Sequence, residues 1–411
     1  MESPFRIEPA QLEHMPPQIA DLIAELAAAA ARLESALAPQ TAQSLTEMVR
    51  IMNTYYSNLI EGNVTMPRDV ERALQSSVAL SQQAPSTAQI ELASSGNAPS
   101  GSDLLTEAVA HVRVQAEIDD MAMRGSLPEP ASADFIQWLH RSFYDGASDA
   151  MLTIKGAGRS FRMTPGEWRK SAEQDVKVGL HLPPSSDSVP AFMAYFAERY
   201  EFQKMGKATA ILALAASHHR FNYIHPFADG NGRVSRLMSH AMAHKAGVGA
   251  HGLWSISRGL ARGINSRGEY KTMMDLADRE RQGDLDGRGN LSLNALLEFT
   301  RWYLETCLDQ VTFMTSLFDL KRLDERLRQC ALQLGLKAEG ARLLREALAR
   351  GSLERGEASR ITGLPDRSAR RILAKVIDAG LLQSSSAKGS VHLRFPMQYQ
   401  DQLFPRLFLA S

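Results

Sequence analysis

The chain has 411 residues, with 46 Lys+Arg against 46 Asp+Glu and no net formal charge, so no long-range field draws it to nucleic acid or a membrane surface. A composition of 44% hydrophobic and 22% charged residues is that of a globular protein of two or three domains, which excludes disorder for the bulk of the chain. Cys307 and Cys330, set in apolar helix-like stretches, supply no disulfide framework, and the start MESPFRIEPA lacks a basic region followed by an apolar run. A cytoplasmic location without a membrane span is expected.

Ala, Leu and Glu recur with helical spacing from Leu22 to Leu37, predicting a helix, and a second follows over 41–60. Between Gln75 and Gly101, Ser, Ala, Gln and Pro predominate without periodicity, which predicts a long loop and a subdomain boundary. Two helical patterns fill 103–144, a Gly- and Arg-containing stretch runs to Gly166, and strand-like alternation is confined to 176–179. Helices are expected at 190–202, 204–220, 234–246, 270–279 and 291–318, which makes the middle of the chain a helical bundle with one small hairpin.

The tail reads differently. Helices over 337–349, 357–361 and 367–379, the last opened by a turn and N-cap at Leu364-Pro365-Asp366, precede two short strands within 381–393. That order resembles a winged helix-turn-helix domain, with Ile361, Leu364, Ile372, Leu373, Val376, Leu381 and Leu382 as its core. Residues 342–394 hold eleven Lys+Arg and five acids, a surplus of six, so a basic patch sits inside a neutral chain and DNA is a possible partner through 337–394. Arg367, Arg370, Arg371 and Lys375 would present it, with Lys388 in the wing. The expected fold is therefore mainly α, organised as a helical region over 1–101, a core over 102–318 and a winged helix-turn-helix module over 319–411.

The chemistry concentrates in His225-Pro-Phe-Ala-Asp-Gly-Asn-Gly-Arg-Val-Ser-Arg236. Gly230-Asn231-Gly232 lies immediately before an apolar-periodic helix, where unpaired N–H groups form an anion cradle. Arg233 and Arg236, three apart on the first turn, share a face and carry guanidinium forks suited to phosphate oxygens. Asp229 can hold Mg²⁺, and His225 has the side chain suited to proton abstraction near neutrality. Taken singly, each has a plain structural reading: a loop histidine, a turn, a solvated helix face. Together they describe an enzyme acting on a nucleotide polyphosphate, with Phe227 as the apolar anchor of the loop.

This segment is the signature of the Fic family, and the resemblance extends over 190–246 and the upstream Val176-Lys177-Val178-Gly179-Leu180-His181-Leu182-Pro183-Pro184. Family members typically transfer AMP from ATP to a Ser, Thr or Tyr hydroxyl of a target protein. The resemblance implies a Fic-type helical bundle with His225 as general base, Asp229 on Mg²⁺, Gly230, Asn231 and Gly232 as the anion hole, and Arg233 and Arg236 on the phosphates of ATP. It implies a β-hairpin flap for target docking within Trp168 to Gly179, using Val176, Lys177 and Val178, and nucleobase contacts near Tyr270 and Asp278. A homodimer is also in keeping with the family.

Ser57-Asn58-Leu59-Ile60-Glu61-Gly62-Asn63 looks like the family's inhibitory motif, with Ser57, Glu61 and Gly62 at its specified positions; read without the family, it is a helix ending in Glu-Gly. Glu61 paired with Arg236 would occupy the guanidinium that holds the γ-phosphate. The expected activity is auto-inhibited protein adenylylation, including self-modification. Removal of AMP at the same site, with Glu61 orienting a water, is the chemical alternative, and a DNA-binding regulator with a nucleotide-sensing core is the other. Asp284 to Asn290 faintly resembles a calcium loop without its ligand spacing and is read as a plain loop.

Overall fold

The computed structural model describes residues 2–82, 101–156, 159–384, 386 and 388–408. Its first three helices, α1 (Pro17–Ser35), α2 (Pro39–Ile60) and α3 (Pro67–Gln82), each open on a proline, whose missing N–H and preset φ suit the first helical position. α4 (Gly101–Met123) and α5 (Ala133–Phe143) follow, with Ser132 Oγ capping α5 by accepting the Phe135 N–H. The one-turn α6 (Asp149–Leu152) leads into an antiparallel hairpin of β1 (Thr153–Gly156) and β2 (Arg159–Arg162). Then come α7 (Val189–Arg199), α8 (Lys207–Ile224), α9 (Asn231–Lys245), α10 (Ile256–Arg262), α11 (Glu269–Ala277) and α12 (Leu293–Leu317).

The chain divides into two compact units, one of residues 1–28, 53–249 and 255–310, the other of 29–52, 250–254 and 311–411. Long-range contacts split the N-terminal helices: Thr41 Oγ1 donates to the Leu348 carbonyl at 3.1 Å in the second unit, whereas Ser57 bonds α9 in the first.

In the first unit α8 is central. Every residue from Ala210 to Phe221 is buried, which small and apolar residues on all faces permit, and α7 and α9 pack against it while α4 and α5 pack against α9. The loop between α8 and α9 is the motif of the sequence analysis.

The second unit includes α13 (Leu320–Gln333), α14 (Ala338–Arg350), β3 (Ser352–Leu353), α15 (Ala358–Thr362), α16 (Asp366–Asp378), β4 (Leu382–Gln383), β5 (Val391–Leu393) and α17 (Gln400–Leu403). The strands form an antiparallel sheet ordered β3-β5-β4, in which Leu353 pairs with Val391 and Leu382 with Leu393. Ile372, Leu373, Val376, Leu381 and Leu382 are buried as expected, while Ile361 and Leu364 are half-buried.

Several local expectations change. Residues 75–82, read as loop, continue α3; residues 83–100 of the expected loop lie outside the described residues. Pro365, not Asp366, stands at the N-cap of α16, and Asp366 begins the helix. The two-stranded hairpin is at 153–162, not within 168–179. Cys307 and Cys330 are buried free thiols, and no helix among the described residues is long and apolar enough to cross a membrane.

Candidate active site

α8 stops at Ile224 and His225 caps it in the left-handed conformation, φ 50°, a region that non-glycine residues seldom adopt. This turn sends the chain back over the bundle. Phe227 is fully buried, its ring 3.9 Å from the His140 ring and 4.7 Å from Trp168 by centroid, so it anchors the loop as expected. Asn231 closes the loop upon itself: its Oδ1 accepts the Phe227 N–H at 2.9 Å and its Nδ2 donates to the Phe227 carbonyl at 2.8 Å. Asn231 thus shapes the cradle by stapling it. Gly230, at φ +79°, admits no side chain, since a Cβ there would lie 2.9 Å from the Tyr144 hydroxyl. Its conformation starts α9, whose first-turn N–H groups lack intrahelical acceptors.

Asp229 Oδ2 accepts from the Tyr144 hydroxyl at 2.8 Å and from Arg233 Nη2 at 3.2 Å, while Arg233 Nη1 donates to Glu107 Oε2 of α4 at 2.7 Å. Arg233 and Glu107 are nearly buried. The Arg233 guanidinium is therefore engaged by two carboxylates, Glu107 and Asp229. Burial opposes ionisation of Asp229, but Arg233 and the Tyr144 hydroxyl outweigh it and hold the carboxyl below its ordinary range. With 45% of its side chain exposed, this ionised carboxylate fits one position of a Mg²⁺ shell otherwise made of water and phosphate oxygens.

Arg236 lies one turn further along α9, with its side chain buried. Its Nε donates to Ser57 Oγ at 2.9 Å, and its Nη2 donates to the Ser57 carbonyl at 3.1 Å and to Glu61 Oε1 at 2.6 Å. The residues of the upstream motif and the second arginine are brought together. A Cβ built on Gly232 would stand 2.3 Å from Glu61 Oε1, so the carboxylate rests against the middle of the anion cradle. Burial works against a charge on Glu61, yet Arg236 and Arg233 lower its pKa and keep it ionised at neutral pH. Gly62 follows α2 at φ +83°.

Burial, reinforced by Arg169, pushes the His225 imidazole down to about 4, so it is neutral at pH 7 and able to accept a proton. Arg169 escaped the sequence reading. Almost fully buried, it donates from Nε to the His225 carbonyl at 2.8 Å, from Nη2 to the Pro184 carbonyl at 2.9 Å and from Nη1 to Asp175 Oδ1 at 2.8 Å, tying the loop to the segment 175–184. Tyr144 and Glu107 were missed as well. All three lie in segments whose periodicity reports only a helix or a loop.

Residues 130–243 match the model of the Fic/DOC family, a span that contains the loop and both arginines. This segment is a Fic domain. The protein adenylyltransferase Fic of Aedes aegypti is 34% identical to it over 82 residues, which are 20% of this chain and 16% of that protein. The protein of the same name from Drosophila mojavensis is 33% identical over 82 residues, with the same shares. The chain thus spans about one sixth of the length of the curated relatives it matches. A crystal structure of a Fic family protein from Desulfovibrio desulfuricans G20 superposes with a TM-score of 0.51 at 17% identity, covering 93% of this chain and 98% of that one, which shows a common fold.

The Fic domain departs from expectation in its flap. Val176, Lys177 and Val178 form no strand: Val178 makes one antiparallel bridge to His181 across Gly179-Leu180, and Asp175 is held by Arg169 and by the Ser186 N–H, so the ladder cannot extend. Leu180 is 95% exposed at the tip. Tyr270 and Asp278 are likewise engaged internally. The Tyr270 hydroxyl bonds His218 Nε2 at 2.8 Å, and Asp278 pairs with His219 at 3.0 Å. Asp278 also lines a groove of about 630 Å³ with Leu180, His181, Leu182 and Tyr223, apart from the residues of 225–236. The loop around Asp286 is a loop as read, its carboxylate accepting the Gln282 and Asn294 N–H groups.

Proposed function

We propose that this Fic protein transfers AMP from ATP to a side-chain hydroxyl of a protein target, itself included, and that Glu61 holds the activity back. The observation that carries this reading is the position of Glu61 Oε1, bonded to Arg236 and resting against Gly232, where anionic phosphate would otherwise lie. The names of the adenylyltransferase relatives support the reaction class.

In this reading the neutral His225 ring takes the proton of the target hydroxyl as its oxygen attacks the α-phosphorus. The new O–P bond forms while the bond from the α-phosphorus to the bridging oxygen breaks, and pyrophosphate leaves with its electrons. The N–H groups at the start of α9 and the Arg236 guanidinium hold the phosphates in line, which supplies orientation and charge neutralisation. Asp229 would be the protein ligand of Mg²⁺, whose contribution when bound is to neutralise phosphate charge. Arg169 keeps the His225 backbone in place and Arg233 fixes the Asp229 carboxylate.

A second reading, hydrolytic removal of AMP, is favoured by one observation: Glu61 is ionised and one-third exposed at the cradle, placed to orient a water. Incubating wild type and Glu61→Gly with α-labelled ATP, Mg²⁺ and a cell lysate separates the two. Adenylylation predicts labelled protein that rises in Glu61→Gly and vanishes in His225→Ala; removal of AMP predicts loss of label from a pre-adenylylated substrate by wild type and none by Glu61→Gly.

The tail contributes a further proposal, contact with a nucleic-acid backbone. Arg345, Arg350 and Arg360 are engaged with Asp324, Glu346 and Glu357, which leaves the exposed Arg367, Arg370, Arg371 and Lys375 of α16 as the basic face.

A further inference from the structure

α9 carries a second constellation beyond its arginines. His240 and His244, four residues apart, share one face of the helix, and Asp119 of α4 meets them there. Asp119 Oδ1 lies 2.6 Å from His240 Nε2 and 2.9 Å from His244 Nε2, and the two Nε2 atoms are 3.3 Å apart. The Asp119 side chain is 2% exposed and each ring 7%. We propose that Asp119, His240 and His244 bind a divalent transition-metal ion of the Zn²⁺ kind, which staples α4 to α9.

Three features carry this. The first is geometric: ligands about 2.05 Å from a tetrahedral Zn²⁺ stand about 3.3 Å from one another, which is the spacing of the two imidazole nitrogens. The Asp119 oxygen is closer to both and has to retreat by about half an ångström, within reach of a small carboxylate rotation.

The second is the convergence of donors: both Nε2 atoms and the Asp119 carboxylate oxygen point at one spot, so rings with unprotonated Nε2 aim two lone pairs and one carboxylate oxygen at a common centre, which a metal ion joins by three bonds.

The third is the support behind the ligands. A Cβ on Gly249 would lie 2.5 Å from His244 Nδ1, so the backbone after α9 packs on that ring and fixes its orientation. The donor set of two imidazoles and one carboxylate suits borderline transition metals and not Mg²⁺ or Ca²⁺, which favour oxygen shells, so this site is distinct in kind from Asp229. Three protein ligands leave a fourth position for water.

The location links the site to the motif. Glu107, which holds Arg233, is twelve residues before Asp119 on α4, about 18 Å along the helix. A metal at one end of the α4–α9 pair fixes the register of the Glu107–Arg233 contact at the other.

The test uses the untagged full chain, stripped with a chelator and dialysed against micromolar Zn²⁺, with metal content and thermal melting as readouts. Wild type is expected to retain about one Zn²⁺ per chain and to melt several degrees higher with Zn²⁺ than without, and Mg²⁺ to have no such effect. His240→Gln and His244→Gln are expected to weaken binding by at least a hundredfold and to abolish the zinc-dependent rise, with Asp119→Asn weakening it by at least tenfold. A wild-type chain that retains no stoichiometric zinc and shows no zinc-dependent melting overturns the proposal, as does retention of one tightly bound Zn²⁺ in both histidine variants. The wild-type measurements decide even where a variant fails to fold.

Discussion

Glu61 Oε1 accepts the Arg236 Nη2–H at 2.6 Å across 175 residues of sequence, and does so from a position against the Gly232 backbone. One carboxylate thus engages the second motif arginine and covers the cradle together. Its charge-assisted bond to a buried guanidinium is of the strong kind, about 1.5–3 kcal/mol.

Removing that carboxylate has a predictable size. Glu61→Gly is expected to raise incorporation from α-labelled ATP by about ten- to a hundredfold, the equivalent of one charge-assisted hydrogen bond. Ser57→Ala, which removes only the hydroxyl that receives Arg236 Nε, should raise it a few-fold. Glu61→Gly combined with Arg236→Ala should fall below Glu61→Gly alone, because the freed guanidinium is then absent. A Glu61→Gly chain no more active than wild type would sink the inhibitory reading.

His225→Ala in the Glu61→Gly background is expected to lower transfer by at least a hundredfold with nucleotide binding retained. Because burial pushes His225 down to about 4, its protonation does not limit the reaction near neutrality. The kcat/KM for the protein substrate should stay level from pH 8 to 6 and fall only on approach to about 4, measured in buffers of constant ionic strength. A limb at the ordinary histidine value would contradict the buried-base assignment.

Glu107 is raised above its usual pKa by burial, although Arg233 beside it acts in the opposite direction. Glu107→Gln replaces one of the two carboxylate partners of the nearly buried Arg233 by a neutral amide while Asp229 remains, so unfolding free energy in urea should fall by about 1 kcal/mol. Asp229 loses its fixed support at the same time. Metal-dependent activity of that variant should therefore need more Mg²⁺ than the parent.

Burial lowers His111 and His218 to about 3 and His140 and His225 to about 4. A histidine with a depressed folded pKa takes its proton more readily when unfolded. The stability it contributes is complete above about 6.5 and declines as pH falls from there toward about 4, by up to about 1.4 kcal/mol per pH unit for each ring. The urea midpoint at pH 5 should lie well below that at pH 7.5, and a midpoint that held or rose on acidification would be the opposite of this expectation.

The basic face of α16 makes the last prediction. Full-length protein should bind mixed-sequence duplex DNA at low salt, with affinity falling steeply as salt rises, and Arg370→Glu with Arg371→Glu should abolish it. Binding that ignores both salt and charge reversal would place the contact elsewhere.

What was legible in the sequence is what local pattern encodes. The spacing of apolar residues placed most of the helices around α8, and the run from His225 to Arg236 stood out because the histidine, the carboxylate and the glycine turn are close together in sequence and need no distant partner to be recognised. The pairing of Glu61 with Arg236 was anticipated through the resemblance of its short motif to the family's inhibitory one. The flap was not: two valines alternate like a strand, but Arg169 fixes Asp175 and the bridge stops at one residue pair. Nor was the division of duty between the arginines, which are equivalent on a helical wheel; only the placement of Glu107 on α4 engages Arg233 inward, and only Ser57 and Glu61 at the end of α2 engage Arg236. The meeting of Asp119 with His240 and His244 is likewise a product of how α4 lies on α9. Periodicity reports which face of a helix is buried, whereas the partner across that face is chosen by packing, which is where the ion pairs of Arg233 and Arg236 are decided in this chain.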